Sequence, residues 1–243
     1  MPKPKDARIL PVKDGYKERR LDHWLFDLPA RVALTGRSAA SGKTTALVNI
    51  LGRFYDEGTW KGQDVWVISG TATADPKVRL LQRLLRIPDD NITSEFSDEK
   101  LKGIYDEIKS RAAKDSSRRF LVVLDDVAWH MDARQNNSAL AELAMASRHY
   151  NMSLFILTQR WSSLPTALRL NLSGIMAWGC SRKEEKHLCD DLARIAPKNW
   201  CAMFREVTAN DPHAFLVCRP NRRLSEMYFD SQFNVLSVNE LDD

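Results

Sequence analysis

Lys43 and Thr44 are the residue types, at the spacing, that hold a polyphosphate. They close the stretch Gly36, Arg37, Ser38, Ala39, Ala40, Ser41, Gly42, Lys43, Thr44, Thr45, which follows the apolar Val32 to Leu34. It precedes Ala46, Leu47, Ile50, Leu51 and Phe54 at helical spacing. Backbone N–H groups of such a loop, with a helix N-terminus carrying about +0.5 charge, cradle phosphate oxygens. Lys43 then reaches the β and γ phosphates of ATP, and the Thr44 hydroxyl ligates Mg2+. The usual spacing between the two glycines is four residues, whereas Gly36 and Gly42 enclose Arg37 to Ser41. Either the loop is one residue longer, or Arg37 occupies the first glycine position.

A second group of polar side chains follows apolar strands. Asp125 and Asp126 end the run Phe120 to Leu124, whose unbroken apolar character suits a buried parallel strand. Asp125 is placed to hold Mg2+ opposite Thr44, and Asp126 to polarise a water for in-line attack on the γ phosphate. Gln159 ends a further apolar run, Ser153 to Leu157, where it can bond both the phosphate and the attacking water.

These residues need a sheet whose strand ends meet. Strands are predicted at Arg31 to Thr35, Val65 to Ser69, Phe120 to Leu124, Ser153 to Leu157 and Gly174 to Trp178, with two more near Ala214 to Cys218 and Met227 to Phe229. A helix to about Asp56 follows the loop and is broken by Gly58. Others follow Asp75-Pro76, Ser97 and Ser138, and a capping box of Ser181 and Glu184 opens one to about Ala193. The fold class is α/β: a three-layer P-loop NTPase of the additional-strand, RecA-like type, with a mainly parallel sheet flanked by helices. A small-molecule kinase fits less well, since it leaves Asp126 and Gln159 without a task.

Composition bounds the rest. With 243 residues, 44% of them hydrophobic, the chain suits one domain, residues 23–243, after a basic arm at residues 1–22. Ile9 to Val12 could form a short strand there, and Trp24, Leu25 and Phe26 pin the arm to the body. The first 20 residues carry a net +4, the net charge of the whole chain, so the remainder is balanced. The last stretch, after Arg223, is acidic. No apolar run reaches the roughly 20 residues of a membrane span, and no signal peptide opens the chain, which predicts a soluble, non-secreted protein. Cys180, Cys189, Cys201 and Cys218 make no metal-ligand spacing and are read as free thiols. Trp66, Trp129 and Trp178 are read as core, and Trp161 as core or as a reporter of nucleotide-driven movement.

The set GRSAASGKTT, VWVISGTATADP, LVVLDD, ASRHYNMSLFILTQRWSSLPTALRLN and DPHAFLVC resembles the poxvirus-type genome-packaging ATPases of the FtsK–HerA superfamily. The resemblance covers residues 31–220. Asp126, where many FtsK relatives carry glutamate, is a departure. The resemblance implies an ATP-hydrolysing motor that threads double-stranded DNA into a preformed capsid. It also implies a homo-oligomeric ring of five or six subunits, capsid vertex or portal partners, and a location in the host cytoplasm and at the virion vertex. Such rings need an arginine from the neighbouring subunit, for which Arg148 and Arg169 are the candidates. DNA contact falls to the arm or to local patches at Arg79, Arg83 and Arg86, at Arg118-Arg119 or at Arg222-Arg223. Another FtsK–HerA translocase, serving conjugation or plasmid mobilisation, and a nucleotide-binding capsid component are the alternatives.

Overall fold

A computed structural model describes residues 20–37, 41–72, 75–126 and 139–238. Eight strands form one sheet: β1 (Arg31–Thr35), β2 (Val65–Ser69), β3 (Ile92–Thr93), β4 (Phe120–Asp125), β5 (Met152–Thr158), β6 (Gly174–Trp178), β7 (Phe215–Cys218) and β8 (Tyr228–Phe229). Their spatial order is β3-β2-β4-β5-β1-β6-β7-β8. Pairings from β3 to β6 are parallel, and β7 and β8 join antiparallel. The additional strand is therefore present: β5 lies between the carboxylate strand β4 and the loop strand β1.

Alternation along each central strand sends side chains to two cores. Phe120, Val122 and Leu124 of β4 join one core, and Leu121 and Val123 the other. The first is covered by α3 (Asp98–Lys114), α4 (Ala139–Ala146), α5 (Thr166–Arg169), α6 (Arg182–Leu192) and α7 (Pro197–Ala209), through residues such as Ile104, Leu143, Leu168, Leu188 and Trp200. The second is covered by α1 (Lys43–Asn49) and α2 (Pro76–Leu85), with Leu25, Phe26 and Leu28. This is the three-layer α/β architecture of the P-loop ATPases.

Several boundaries differ from expectation. The helix expected to run to Asp56 is α-helical only to Asn49, continues as a π turn over Ile50–Phe54 and stops at the extended Tyr55. Gly58 lies beyond it at φ +83°. Leu25 and Phe26 are buried as expected, but Trp24 is 53% exposed, its ring resting against Phe54 and Phe233. Helix α7 is an unforeseen element: Pro197 at its first position and the i, i+4 pair Trp200 and Phe204 are its signals, diluted by polar neighbours. The two-residue β3 is too short to show a pattern. Trp66, Trp161 and Trp178 are buried, and all four cysteines are free thiols. Trp129, Ser138 and the Ile9 to Val12 stretch lie outside the described residues.

Candidate functional site

The carboxyl ends of β1, β4 and β5 meet where the order of connections reverses, which is where open α/β sheets bind ligands. Gly36 leaves β1 with its N–H on the Thr158 carbonyl at 3.2 Å, so the loop starts beside the end of β5. A Cβ at Gly36 would lie 2.6 Å from Trp178 Cβ, so close approach to β6 demands glycine there. Gly42 is left-handed at φ +83° and turns the chain into α1, whose first bond runs from Ala46 N–H to the Gly42 carbonyl. Ser38, Ala39 and Ala40 lie outside the described residues, and both ways of fitting the extra loop residue stand.

Lys43 reaches back across this loop. Its ammonium donates to the carbonyls of Gly36 and Arg37, both at 2.7 Å, and to Ser41 Oγ at 3.2 Å. Ser41 itself donates to the Arg37 carbonyl. Burial lowers the Lys43 pKa, while Asp126 and Asp125 oppose that shift. Thr44, half-buried, and Thr45 follow in the first turn.

The carboxylates are held differently. Asp125 is buried at the end of β4, in register with Ser69 of β2, whose hydroxyl donates to Asp125 Oδ2 at 3.1 Å. Burial raises the Asp125 pKa against that hydrogen bond, and Asp126 and Asp75 push it further. Asp126 adopts φ +55°, a conformation Asp tolerates better than most residues, with its N–H on the Leu157 carbonyl. Gln159 Nε2 donates to Asp126 Oδ2 at 2.5 Å. Asp126 Oδ1 is buried with no hydrogen-bond partner among the described residues.

The raised Asp125 pKa has a consequence for stability. The neutral carboxyl's contribution is complete below the ordinary Asp value and is lost as pH rises through the higher folded value. Asp125→Asn should therefore melt higher than the parent at pH 7, with the gap closing towards pH 4, while ATP hydrolysis is lost. Melting curves across that range check this, and a variant less stable at pH 7 would refute it.

Four of the predicted residues, Lys43, Asp125, Asp126 and Gln159, thus share one site, and Thr44 adjoins Lys43. Arg148 is exposed in the turn before β5, at the opposite end of the sheet. Arg169, on α5, forms an ion pair with Asp191 of α6 and lies over the Trp161 ring. Sequence reasoning missed Ser69, whose signal was its place at the end of the strand preceding the carboxylate strand. It also missed His213, whose Nδ1 would lie 3.3 Å from a Cβ on Gly42. The expected capping box is half formed. Ser181 Oγ accepts from Glu184 N–H, but the Glu184 carboxylate turns to Ser162, taking its N–H at 3.0 Å and hydroxyl at 2.6 Å. Burial opposes the charge on Glu184, yet those two bonds, with Arg160 and His187, hold its pKa below the usual value. The segment just after Gln159 is thereby tied to α6.

Residues 90–205, just under half the chain, match the family described as Poxvirus A32 protein. That span contains Asp125, Asp126, Arg148, Gln159 and Arg169, and excludes the phosphate loop. In fold, the chain is similar to the genome packaging NTPase B204 from Sulfolobus turreted icosahedral virus 2 in complex with AMP, at 15% identity and TM-score 0.60, covering 83% of this chain and 96% of that one. It is also similar to EssC (ATPases 2 and 3) from Geobacillus thermodenitrificans, at 13% identity and TM-score 0.52, covering 79% and 38%. The pCW3 conjugation coupling protein TcpA matches at 15% identity and TM-score 0.51, covering 88% and 68%. No curated protein matches this chain. No helix among the described residues is long and apolar enough to cross a membrane.

Proposed function

We propose that this chain is an ATP-hydrolysing motor that drives double-stranded DNA into a preformed viral capsid. The observation that carries this reading is the Gln159–Asp126 hydrogen bond beside Lys43, which links a water-polarising carboxylate to a mobile-phosphate sensor across adjacent strands. The A32 family match, and a fold shared with a packaging NTPase, favour packaging over other translocation.

The loop amides and Lys43 would bind the β and γ phosphates. Asp126 would accept a proton from the attacking water, with Gln159 orienting both. Thr44 and Asp125 would hold Mg2+, which supplies charge neutralisation on the phosphate oxygens when bound. The donor types fit that ion, which is commonly held by one or two carboxylates with waters and phosphates. Asp125 is a buried carboxylate at the end of β4, and Thr44 is a hydroxyl in the first turn of α1. The unpartnered Asp126 Oδ1 adds a buried acceptor for water. Loss of the γ phosphate would change what Gln159 bonds, and the Ser162–Glu184 link would carry that change to α6. We further place this chain in a homo-oligomeric ring at a capsid portal, with Arg148 or Arg169 completing a neighbour's site.

The test measures hydrolysis against protein concentration, with and without duplex DNA. A motor with a shared site shows a rate that climbs faster than linearly and is stimulated by DNA. Asp126→Asn should lower that rate by about 10²- to 10⁴-fold while ATP binding persists. A rate indifferent to DNA, with an Asp126→Asn chain at full turnover, would overturn the motor and leave a self-contained NTPase; no hydrolysis at all would leave a nucleotide-binding capsid component.

A further inference from the structure

Opposite the nucleotide site the molecule carries a cavity of about 210 Å³ walled by Arg20, Arg31, Arg148, Arg219 and Arg222, with Asp27 among them. The topology assembles it. Arg31 opens β1 and Arg148 precedes β5, while β7 runs antiparallel and so delivers Arg219 and Arg222 to the same end. At roughly 30 Å³ per water, the space suits a phosphate group with part of its hydration.

Two carboxylates face the arginines: Asp27 Oδ2 accepts from both Arg20 and Arg222, at 2.6 Å each, and Asp22 pairs with Arg20 Nε at 2.8 Å. Arg219 is fixed by uncharged acceptors, the carbonyls of Trp24, Leu25 and Glu226, and lies 4.5 Å over the Phe229 ring. Burial, then the like charge of Arg222, lowers its pKa. Arg31, 6% exposed, directs Nη1 to Ser147 Oγ at 3.4 Å. Guanidinium forks held around an open space are the arrangement that takes phosphate oxygens.

We propose that this cavity is a phosphate-binding pocket that grips the backbone of duplex DNA on the face of the subunit opposite ATP. The inference rests on the DNA-motor reading and locates its DNA contact. Outside the first 20 residues the chain's charges balance, so attraction to DNA must be local. Arg20, which lines the cavity, directly follows in sequence the residues that carry the rest of the chain's excess positive charge. In the other patches Arg86 is paired with Glu57 on the exposed surface, and Arg118 faces Asp64.

The test uses the full chain with Lys43→Ala, so that the phosphate loop does not compete, and a fluorescent 30-base-pair duplex titrated over a salt series. Two changes are compared, Arg20→Gln with Arg222→Gln, and Asp27→Asn; Arg148 is left alone because it is a candidate for the shared ATP site. The double change should weaken binding about tenfold and reduce the salt slope by about 1 to 2. Asp27→Asn should tighten binding, a gain that misfolding does not imitate. Unchanged affinity and slope in both, with the parent still binding, would overturn the pocket and leave the motor standing. A parent with no salt-dependent affinity for the duplex would overturn the underlying reading as well. Tripolyphosphate is the second probe: if both changes alter its binding and neither alters the duplex, the ligand is a free oligophosphate and the backbone assignment fails. Hydrolysis lost in the double change made without Lys43→Ala, regained on mixing with Lys43→Ala chains while the DNA slope is unmoved, would give these arginines to a neighbour's nucleotide and also overturn it.

Discussion

Lys43→Ala is expected to lower ATP hydrolysis by about 10³-fold or more, with nucleotide affinity falling as well. The ammonium is the cation that faces Asp125 and Asp126, and its bonds go to main-chain carbonyls of its own loop. When phosphates bind, the same charge must balance the negative charge growing on the γ phosphate, in a site where burial makes each unit of charge count for more than in water. The hydrogen bonds of the side chain go to its own loop, so the melting temperature should move by only a few degrees, in contrast to the collapse of activity. Steady-state rates, nucleotide titration and a melting curve on one preparation separate the effects. A variant retaining more than about a tenth of the parent rate would remove Lys43 from the chemistry.

The second large effect is expected between subunits. Arg148→Ala should reduce hydrolysis by about 10³- to 10⁵-fold, roughly 4 to 7 kcal/mol of barrier, and mixing it with the Lys43→Ala chain should restore turnover. A site built from the Lys43 of one subunit and the Arg148 of the next is intact at about one interface in four after random mixing. The geometry favours Arg148 over Arg169. Arg148 lies at the end of the sheet away from its own phosphate loop, so a nucleotide it reaches belongs to another subunit. Arg169 is committed to Asp191, and its side chain is only 16% exposed. Asp191 also accepts from Trp161 Nε1, so pulling Arg169 away would disturb a buried tryptophan. Recovery with Arg169→Ala and not with Arg148→Ala would reverse the assignment. Recovery with neither would discard a shared arginine at these positions.

The sequence by itself determined most of the sheet and named the candidate residues that the fold then brings to one place. Lys43 and Thr44 were legible because a phosphate loop is local: a strand, small residues and a helix start adjoin in sequence, and their backbone geometry follows from residue type. Asp125 and Gln159 were legible because each ends an unbroken apolar run, and buried parallel strands write themselves as such runs. Helix α7 was less legible, because its buried face is two aromatic residues and its remaining positions are polar or small.

Only the tertiary structure decided which strand ends face one another. The placement of β5 between β4 and β1, on which the meeting of Gln159 and Asp126 depends, is a property of strand pairing between distant segments. The same is true of Ser69 beside Asp125 and of Glu184 beside Ser162, where a residue's neighbour in space outcompetes its neighbour in sequence. Glu184 makes the reason plain. A capping box is the local choice, but Ser162 offers the carboxylate two donors at once in a half-buried site, and an ionised group out of water goes where its lone pairs are best filled. The arginine cavity was hidden for the same cause, since its members come from four distant stretches of chain and meet only because β7 runs against the other strands.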